Sequence, residues 1–389
     1  MNVDLKEVIV IGGSHQNAIG VIRALGRKGI KSFFILISHS SKSFINRSRY
    51  LSGHISLMPQ QVVSFLLENK CEDGKRKVII ACHDEIVELL DTHRKELEQH
   101  FILPGTEDGL LQKLLDKQYL TLDAKNFGFT VPASFSTTDG FNINDVQFPC
   151  ITKPWKSHKG SKSHIKRFED NQSLSQFLKE NNGKEFQIQQ FIDVDFEYQL
   201  IGASYKFGDE VVIPGVSIIL RPYNGSNTEF LHYRRLTADF NNVVALVKQY
   251  LKDKRYSGLF SAEFLRGSDG KDYFMEINFR NDGNTISVTN AGANLPYWWV
   301  MKNSGVDVAL PEVTHDQYLL PEHRELSLWR KGIITTKELR SDWKLATCYS
   351  KYASDDKWPT YGKLSLYFKV SWACVSRLYN ILTGRNKRK

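Results

Sequence analysis

No stretch of this sequence approaches the roughly 18 consecutive apolar residues that a helical membrane span needs, so an integral membrane protein is not expected. Residues 1–7 run straight into a strand-like segment without a signal-peptide pattern, which places the expected location in the cytoplasm. Cysteine is scarce and scattered. Cys71, Cys82, Cys150, Cys348 and Cys374 contain no C-x-x-C pair and no histidine at zinc-ligand spacing, so they read as reduced thiols, mostly packing. Helix-turn-helix, zinc and RNP patterns are also missing, which makes nucleic acid a poor partner despite a formal charge of +9. Acidic residues are absent from residues 361–389, where seven Lys or Arg stand, so the positive charge is unevenly spread. Neither an internal repeat nor a low-complexity linker is visible.

What is present is ample apolar content: 41% of 389 residues, enough for substantial cores and two or three structural units. Residues 7–13 form a short apolar run (Val8, Ile9, Val10, Ile11) that ends in Gly-Gly. Helical spacing follows over 17–26, and a second apolar run covers 32–37. This β-α-β opening predicts parallel strands with crossover helices. Residues 78–81 make a third buried strand, followed over 84–97 by one amphipathic helix with Ile86, Leu89, Leu90 and Leu97 on a side. Gly12, Gly13 and Gly20 lack the G-x-G-x-x-G spacing, and the second strand ends in Ser38-His39-Ser40 rather than an acid. A dinucleotide site is therefore not expected there. The helix start after Ser14 still offers free N–H groups to an anion.

The chain changes character near residue 105. A helix is expected through 110–127, stopped by Gly128 and leading through Pro132 into a new strand. Strand-like runs follow at 150–153, 186–191, 198–205, 210–219, 258–265 and 272–278. So many strands with few helices predict antiparallel sheet in an α+β arrangement.

The sharpest chemical signal is Ser261-Ala262-Glu263-Phe264-Leu265, then the turn Gly267-Ser268-Asp269-Gly270, then Phe274-Met275-Glu276-Ile277-Asn278-Phe279-Arg280. Residues two apart on a strand share a face, so Glu276, Asn278 and Arg280 project together while Met275, Ile277 and Phe279 face the other way. If the strands form a hairpin, Glu263 lies beside Glu276. Two carboxylates and an amide oxygen are what Mg²⁺ takes when phosphate oxygens complete its shell. The plainer alternative is a solvated polar strand face.

These residues resemble the ATP-grasp superfamily, and more loosely its carbamoyl-phosphate-synthase-like and D-aspartate-ligase-like carboxylate–amine ligases, to whose strand-end acid pattern Ala81-Cys82-His83-Asp84-Glu85 is similar. The resemblance implies that Glu263, Glu276 and Asn278 hold two Mg²⁺ ions, with Mn²⁺ as a substitute, on the phosphates of ATP. Arg280, two positions after the Asn, then contacts the transferred phosphoryl group or the substrate carboxylate. Asp116-Lys117 before Gly128-Phe129-Thr130-Val131-Pro132 resembles the segment whose lysine reaches the phosphates. Phe148-Pro149-Cys150-Ile151-Thr152-Lys153-Pro154 looks like the strand that delivers the second phosphate lysine, Lys153. Taken singly, each lysine is more often a surface residue. Around Gln189-Gln190-Phe191-Ile192, the resemblance implies that Gln190 and Phe191 border the adenine, Ile192 offers backbone groups and Glu197 binds the ribose. Gln190 stands where an acid is common, and Ser157 to His164 carries a single glycine where the family has a glycine-rich phosphate loop.

The implied architecture is α/β plus α+β. A parallel-sheet pre-ATP-grasp domain (1–105) precedes a two-lobed ATP-grasp domain with antiparallel sheets (106–305, its small lobe 106–190 and metal lobe 191–305). An extension with a basic amphipathic tail follows (306–389). The implied activity is ADP-forming ligation: a carboxylate is activated as an acyl phosphate and attacked by an amine. A catalytically reduced ATP-binding or regulatory subunit is the alternative. The substrates are then a small-molecule acid and amine, and a homo-oligomer is compatible with this reading. Arg221, His232, Arg234 and Arg235 suit either carboxylate recognition or a solvated basic loop. Tyr297-Trp298-Trp299 reads as core. The tail, with apolar residues interleaved by Lys363, Lys369 and Arg377, suits peripheral contact with an anionic membrane or, equally, packing on the enzyme.

Overall fold

The computed structural model describes residues 7–70, 75–107, 109–137, 142–154 (153 and 154 by backbone), 166–221, 230–360 and 371–378. The apolar runs at the start become β1 (Val8–Gly12), β2 (Ser32–Ile37), β3 (Leu51–Leu57), β4 (Lys77–Ala81) and β5 (Phe101–Ile102). All pair in parallel, in the order β3-β2-β1-β4-β5. Every residue of β1 is buried, as a strand covered on both faces requires. The chain leaves neighbours β1 and β4 in opposite directions across the sheet, so the strand order reverses between them.

The expected helix over 84–97 is two helices, Asp84–Thr92 and Arg94–Leu97, interrupted at His93. The expected helix over 110–127 is likewise split into Leu111–Leu115 and Lys117–Phe127. Asp116 makes that break. Its backbone is extended and its carboxylate accepts from the backbone N–H groups of Gln118 and Tyr119, so it starts a new helix rather than continuing the old one. Gly128, at φ 118°, ends that helix in a left-handed conformation that disfavours a side chain.

Strand β6 (Gly105–Thr106) leads to a four-stranded antiparallel sheet of β7 (Ser134–Ser136), β8 (Cys150–Pro154), β9 (Lys166–Phe168) and β10 (Phe186–Gln190), ordered β7-β10-β8-β9. The third sheet holds β11 (Val194–Tyr205), β12 (Glu210–Val212), β13 (Gly215–Arg221), β14 (Phe230–Arg235), β15 (Tyr256–Gly267), β16 (Asp272–Asn278), β17 (Gln317–Leu320) and β18 (Cys348–Tyr349). Its path runs β16-β15-β11-β13-β14-β17-β18, with β12 on β11 and β6 on β15. All these pairs are antiparallel except β17 with β18. The single run expected over 210–219 is two strands, parted at Pro214, whose missing N–H cannot serve a ladder.

One face of this sheet packs Tyr198 and Phe264 in a core with Val247 and Tyr250 of helix Asn241–Asp253. The other face shares a core with the first sheet: Ile201, Leu231 and Tyr233 join Ile19, Val21 and the buried Trp298 and Trp299. Those tryptophans are core, as the sequence suggested. Among the described residues, no helix is long and apolar enough to cross a membrane.

Candidate active site

β15 and β16 form a hairpin, and a register shift between Phe264 and Glu263 sets Glu263 opposite Glu276 and Ser261 opposite Asn278. Opposed residues of an antiparallel pair share a face, so the two carboxylates stand side by side. The row continues across the sheet: Gln199 of β11 lies opposite Glu263, and Ser217 of β13 lies opposite Gln199. Ile277 and Phe279 are buried on the opposite face, which fixes the register because a one-residue slip would put them in the site.

Like charges so close need partners. Lys117 Nζ donates to Glu276 Oε2 at 2.9 Å across 159 residues of sequence, and the Glu276 charge raises the lysine above its ordinary value. Asn278 Nδ2 reaches Glu263 Oε1 at 3.2 Å and Glu276 Oε1 at 3.5 Å. Gln199 Nε2 donates to Glu263 Oε1 at 3.1 Å, and its own oxygen accepts from Asn284 Nδ2 at 2.8 Å. Burial, followed by the charges of Glu276 and Asp282, pushes the Glu263 carboxyl up to about 8. The buried Asp282 accepts from Ser261 Oγ and from the Asn284 backbone, and desolvation raises it as well.

Arg280 closes the cluster. Nη2 donates to Asn278 Oδ1 at 3.0 Å, Nη1 to the Asn281 carbonyl at 3.3 Å, and the Nε/Nη2 edge grips both oxygens of Asp84 at 2.7 and 3.2 Å. Burial works against its charge, yet Asp84 and Asp282 raise it above the ordinary guanidinium value. The strand's continuation is docked on the first sheet at the same place. The Asn281 N–H donates to the Ala81 carbonyl, and Asn17 Nδ2 donates to the carbonyls of Cys82 and Asn281.

Five of the residues singled out from sequence therefore converge: Lys117, Glu263, Glu276, Asn278 and Arg280. Glu197 sits one pleat from Gln199 on the same face of β11, opposite Leu265. Gln190, Phe191 and the buried Ile192 form the crossing from the small sheet to the large one. Gln190 Oε1 accepts from Ala133 N at 3.3 Å, the Phe191 N–H donates to the Pro149 carbonyl, and the Arg167 guanidinium stacks 4.0 Å over the Phe191 ring. Lys153 lies on β8 opposite Gln187, and its side chain is outside the described residues, as are Ser157 to His164 and Tyr223, Asn224 and Gly225. Arg221 pairs with Glu325 and Asp342, His232 with Asp316, and Arg235 with the Val313 carbonyl, so these three anchor the C-terminal segment. Arg234 lies over the Phe240 ring.

From sequence, Gln199, Asp282 and Asn284 are not singled out, and Ser261 stands only as part of its strand. Ser261 was within reach, since it lies two residues from Glu263 on one strand. The others are brought in by sheet order and by the turn after Arg280, which leave no local pattern.

Among the described residues, no three His, Cys, Asp or Glu side chains make a self-sufficient metal site. Two carboxylates and an amide form an incomplete shell that suits a hard cation whose remaining ligands are phosphate oxygens. The fit has an internal sign: an ammonium and an amide NH₂ already lie against these carboxylates, and burial together with the neighbouring charge of Glu276 raises the Glu263 carboxyl. A cavity of about 190 Å³ lies elsewhere, between helix Gln16–Gly26 and residues 347–355. Its arginines, Arg23 and Arg27, are already paired with Asp356 and Asp355.

Solved structures with this arrangement of sheets include N5-carboxyaminoimidazole synthetase from Staphylococcus aureus, with a TM-score of 0.65 and 16% identity over 85% of this chain and 88% of that one. The chain has the ATP-grasp fold. The biotin carboxylase domain of the Hydrogenobacter thermophilus 2-oxoglutarate carboxylase, solved with MgADP and bicarbonate, aligns with a TM-score of 0.59 and 16% identity over 79% of this chain and 72% of that one. In sequence, the chain is 23% identical over 250 residues to a D-aspartate ligase of Enterococcus faecium, a match that covers 59% of each protein. The chain thus spans less than two thirds of that curated relative. No protein-family model matches it.

Proposed function

We propose that this chain is an ADP-forming carboxylate–amine ligase. The observation that carries the reading is the opposed pair Glu263 and Glu276 with Asn278 and Arg280 on one strand face and Lys117 delivered to it from a distant helix. Glu263, Glu276 and Asn278 would hold magnesium, which would supply positive charge against the nucleotide phosphates. For its oxygen to join the carboxylates, the Asn278 amide turns over from its present pose, in which the NH₂ faces them. Lys117, freed from Glu276, then reaches the phosphates together with Lys153. Gln190, Phe191, Ile192 and Glu197 hold adenine and ribose. Arg280 offsets charge on the phosphoryl group in flight, so the protein contributes positioning and electrostatics rather than a covalent intermediate. The substrate carboxylate attacks the γ-phosphate to give an acyl phosphate and ADP. The amine then displaces phosphate to leave an amide.

The test is release of ADP and phosphate that requires both an acid and an amine. The D-aspartate ligase relative makes amino acids the first acids to supply. Nucleotide binding without ADP formation across a panel of acids and amines would replace this reading with that of an ATP-binding subunit.

The raised carboxyl of Glu263 gives a pH signature. Between the ordinary carboxylate range and about pH 8 the folded chain holds a proton that the unfolded chain lacks, and stability falls as pH rises through that window. A divalent cation competes for the same oxygens. Magnesium affinity, read as the Mg²⁺-dependent rise in melting temperature with ADP present, should increase roughly tenfold from pH 6.5 to 7.5 and level off above about 8.5. A flat profile would remove Glu263 from the metal site.

We also propose peripheral contact with an anionic membrane. Residues 371–378 are helical, with Ala373 packed in a small core beside Trp329 and Arg377 bonded to the Trp329 carbonyl, while Trp372, Val375 and Leu378 are 60, 66 and 61% exposed. This outward apolar stripe lies within a segment of seven basic residues and no acids. Co-sedimentation with phosphatidylserine vesicles is expected, weakened by salt and lost on deletion of residues 361–389. Sedimentation unchanged by that deletion discards the contact.

A further inference from the structure

The two-point grip of Asp84 on Arg280 joins the end of β4 to the end of the metal-binding strand, across 196 residues of sequence. Asp84 is the first residue of helix Asp84–Thr92, and an acid there complements the helix dipole whatever else it does. That role needs no partner. Here both carboxylate oxygens are aimed at one edge of a guanidinium whose side chain is only 13% exposed, while Asp84 itself remains 55% exposed.

We infer that Asp84 is a positioning residue that holds the Arg280 guanidinium toward the γ-phosphoryl group, a role that rests on the ligase reading. Arg280 has three acceptors in this structure: Asp84, Asn278 Oδ1 and the Asn281 carbonyl. If the Asn278 amide turns its oxygen to a cation between Glu263 and Glu276, the amide NH₂ comes to face Arg280 Nη2, and two donors cannot satisfy one another. Arg280 then keeps Asp84 and one carbonyl. Of these, only Asp84 can fix the plane of the fork, because a bidentate carboxylate sets orientation as well as distance. With the Nε/Nη2 edge held by Asp84 and one Nη1 hydrogen on the Asn281 carbonyl, the guanidinium has the second Nη1 hydrogen to offer the phosphates. Arg280 lies within hydrogen-bond reach of a cation ligand, which places it at the phosphoryl end of the nucleotide rather than at the adenine.

Docking of the two sheets does not depend on this pair. The bonds from Asn281 N to Ala81 O and from Asn17 Nδ2 to the Cys82 and Asn281 carbonyls use no atom of Asp84, so they are expected to survive its substitution. Loss of function in an Asp84 variant is thereby separable from loss of structure.

The experiment compares binding of Mg²⁺ with ADP and with a non-hydrolysable ATP analogue, so it needs no knowledge of the acid or amine. Asp84→Asn should leave ADP affinity within about twofold and lower the melting temperature by only a few degrees, while lowering the preference for the triphosphate about tenfold, as for a lost charge-assisted contact. Asp84→Glu should restore part of that preference. In an Arg280→Ala background, Asp84→Asn should change nothing further, because a residue that acts through Arg280 has no effect without it. An unaltered preference in Asp84→Asn, or an effect that adds to that of Arg280→Ala, overturns the role of Asp84 and leaves the ligase reading standing. Failure of the wild-type chain to bind either nucleotide overturns both.

Discussion

Glu276→Gln is expected to lower ADP formation about a thousandfold while leaving the protein folded, and the strand geometry says why. The substitution keeps volume and strand propensity, so Ile277 and Phe279 remain buried and the register holds. It removes the carboxylate that faces Glu263 and anchors Lys117. On the proposed reading a hard cation loses an anionic ligand, while Lys117 loses only the partner it leaves on reaching the phosphates. The Glu263 carboxyl also loses a neighbouring charge that raises it, so it should titrate at lower pH than in the wild type. Three readouts should move together: a fall in turnover, a shift of the Mg²⁺ requirement to higher concentration, and a downward shift of the pH dependence of Mg²⁺ binding. Adding Asn278→Ala should take the rate to background. ADP formation within about threefold of wild type in the double variant would dissolve the assigned site.

Much of this site was legible because strand geometry is local. The two-residue period placed Glu276, Asn278 and Arg280 on one face, and the turn Gly267-Ser268-Asp269-Gly270 implied a hairpin; the one-residue register shift between Phe264 and Glu263 that sets Glu263 opposite Glu276 left no mark in the spacing. The apolar runs of β1, β2 and β4 announced a parallel sheet in the same way. What the sequence did not carry is which elements become neighbours. Lys117 was picked out by resemblance, but nothing in its surroundings said that its ammonium would rest on Glu276. Gln199 supports Glu263 only because β11 lies beside β15, and that strand order is decided by packing on both faces of a large sheet. Asp84 was noted as a strand-end acid, and its partner lies in another sheet.

The broken helices have a different physical origin. Asp116 and His93 stand in stretches whose apolar spacing is continuous, and periodicity alone joined what local hydrogen bonding divides. At Asp116 a side-chain carboxylate outcompetes the helix for two N–H groups. Arg221, His232 and Arg235 are the converse case: they suited substrate recognition by residue type, but partners on the segment around 313–342 engage them, and sequence separation hides such partners.

Asp356→Ala is expected to destabilise the chain by about 3–5 kcal/mol, the loss typical of stranding one member of a buried ion pair. Arg23 sits on helix Gln16–Gly26 with its side chain 5% exposed, and Asp356 is fully covered. Asp356 Oδ2 accepts from Arg23 Nε at 3.0 Å and from Ser48 Oγ at 2.8 Å, while Oδ1 accepts from the Arg49 backbone at 3.0 Å. Burial depresses the Arg23 guanidinium, and hydrogen bonding and charge from Asp356 act to restore it, so removing that carboxylate leaves a desolvated cation among carbonyl groups. Replacing both partners together, as Arg23→Met with Asp356→Leu, should cost much less, because neither charge is then stranded. The two outcomes are read from urea midpoints at constant slope. None of the partners of Asp356 belongs to the carboxylate cluster, so nucleotide binding by the folded fraction should be unchanged. A loss below about 1 kcal/mol for Asp356→Ala would mean that the segment around 351–356 is held to the first sheet by its apolar contacts and not by this pair.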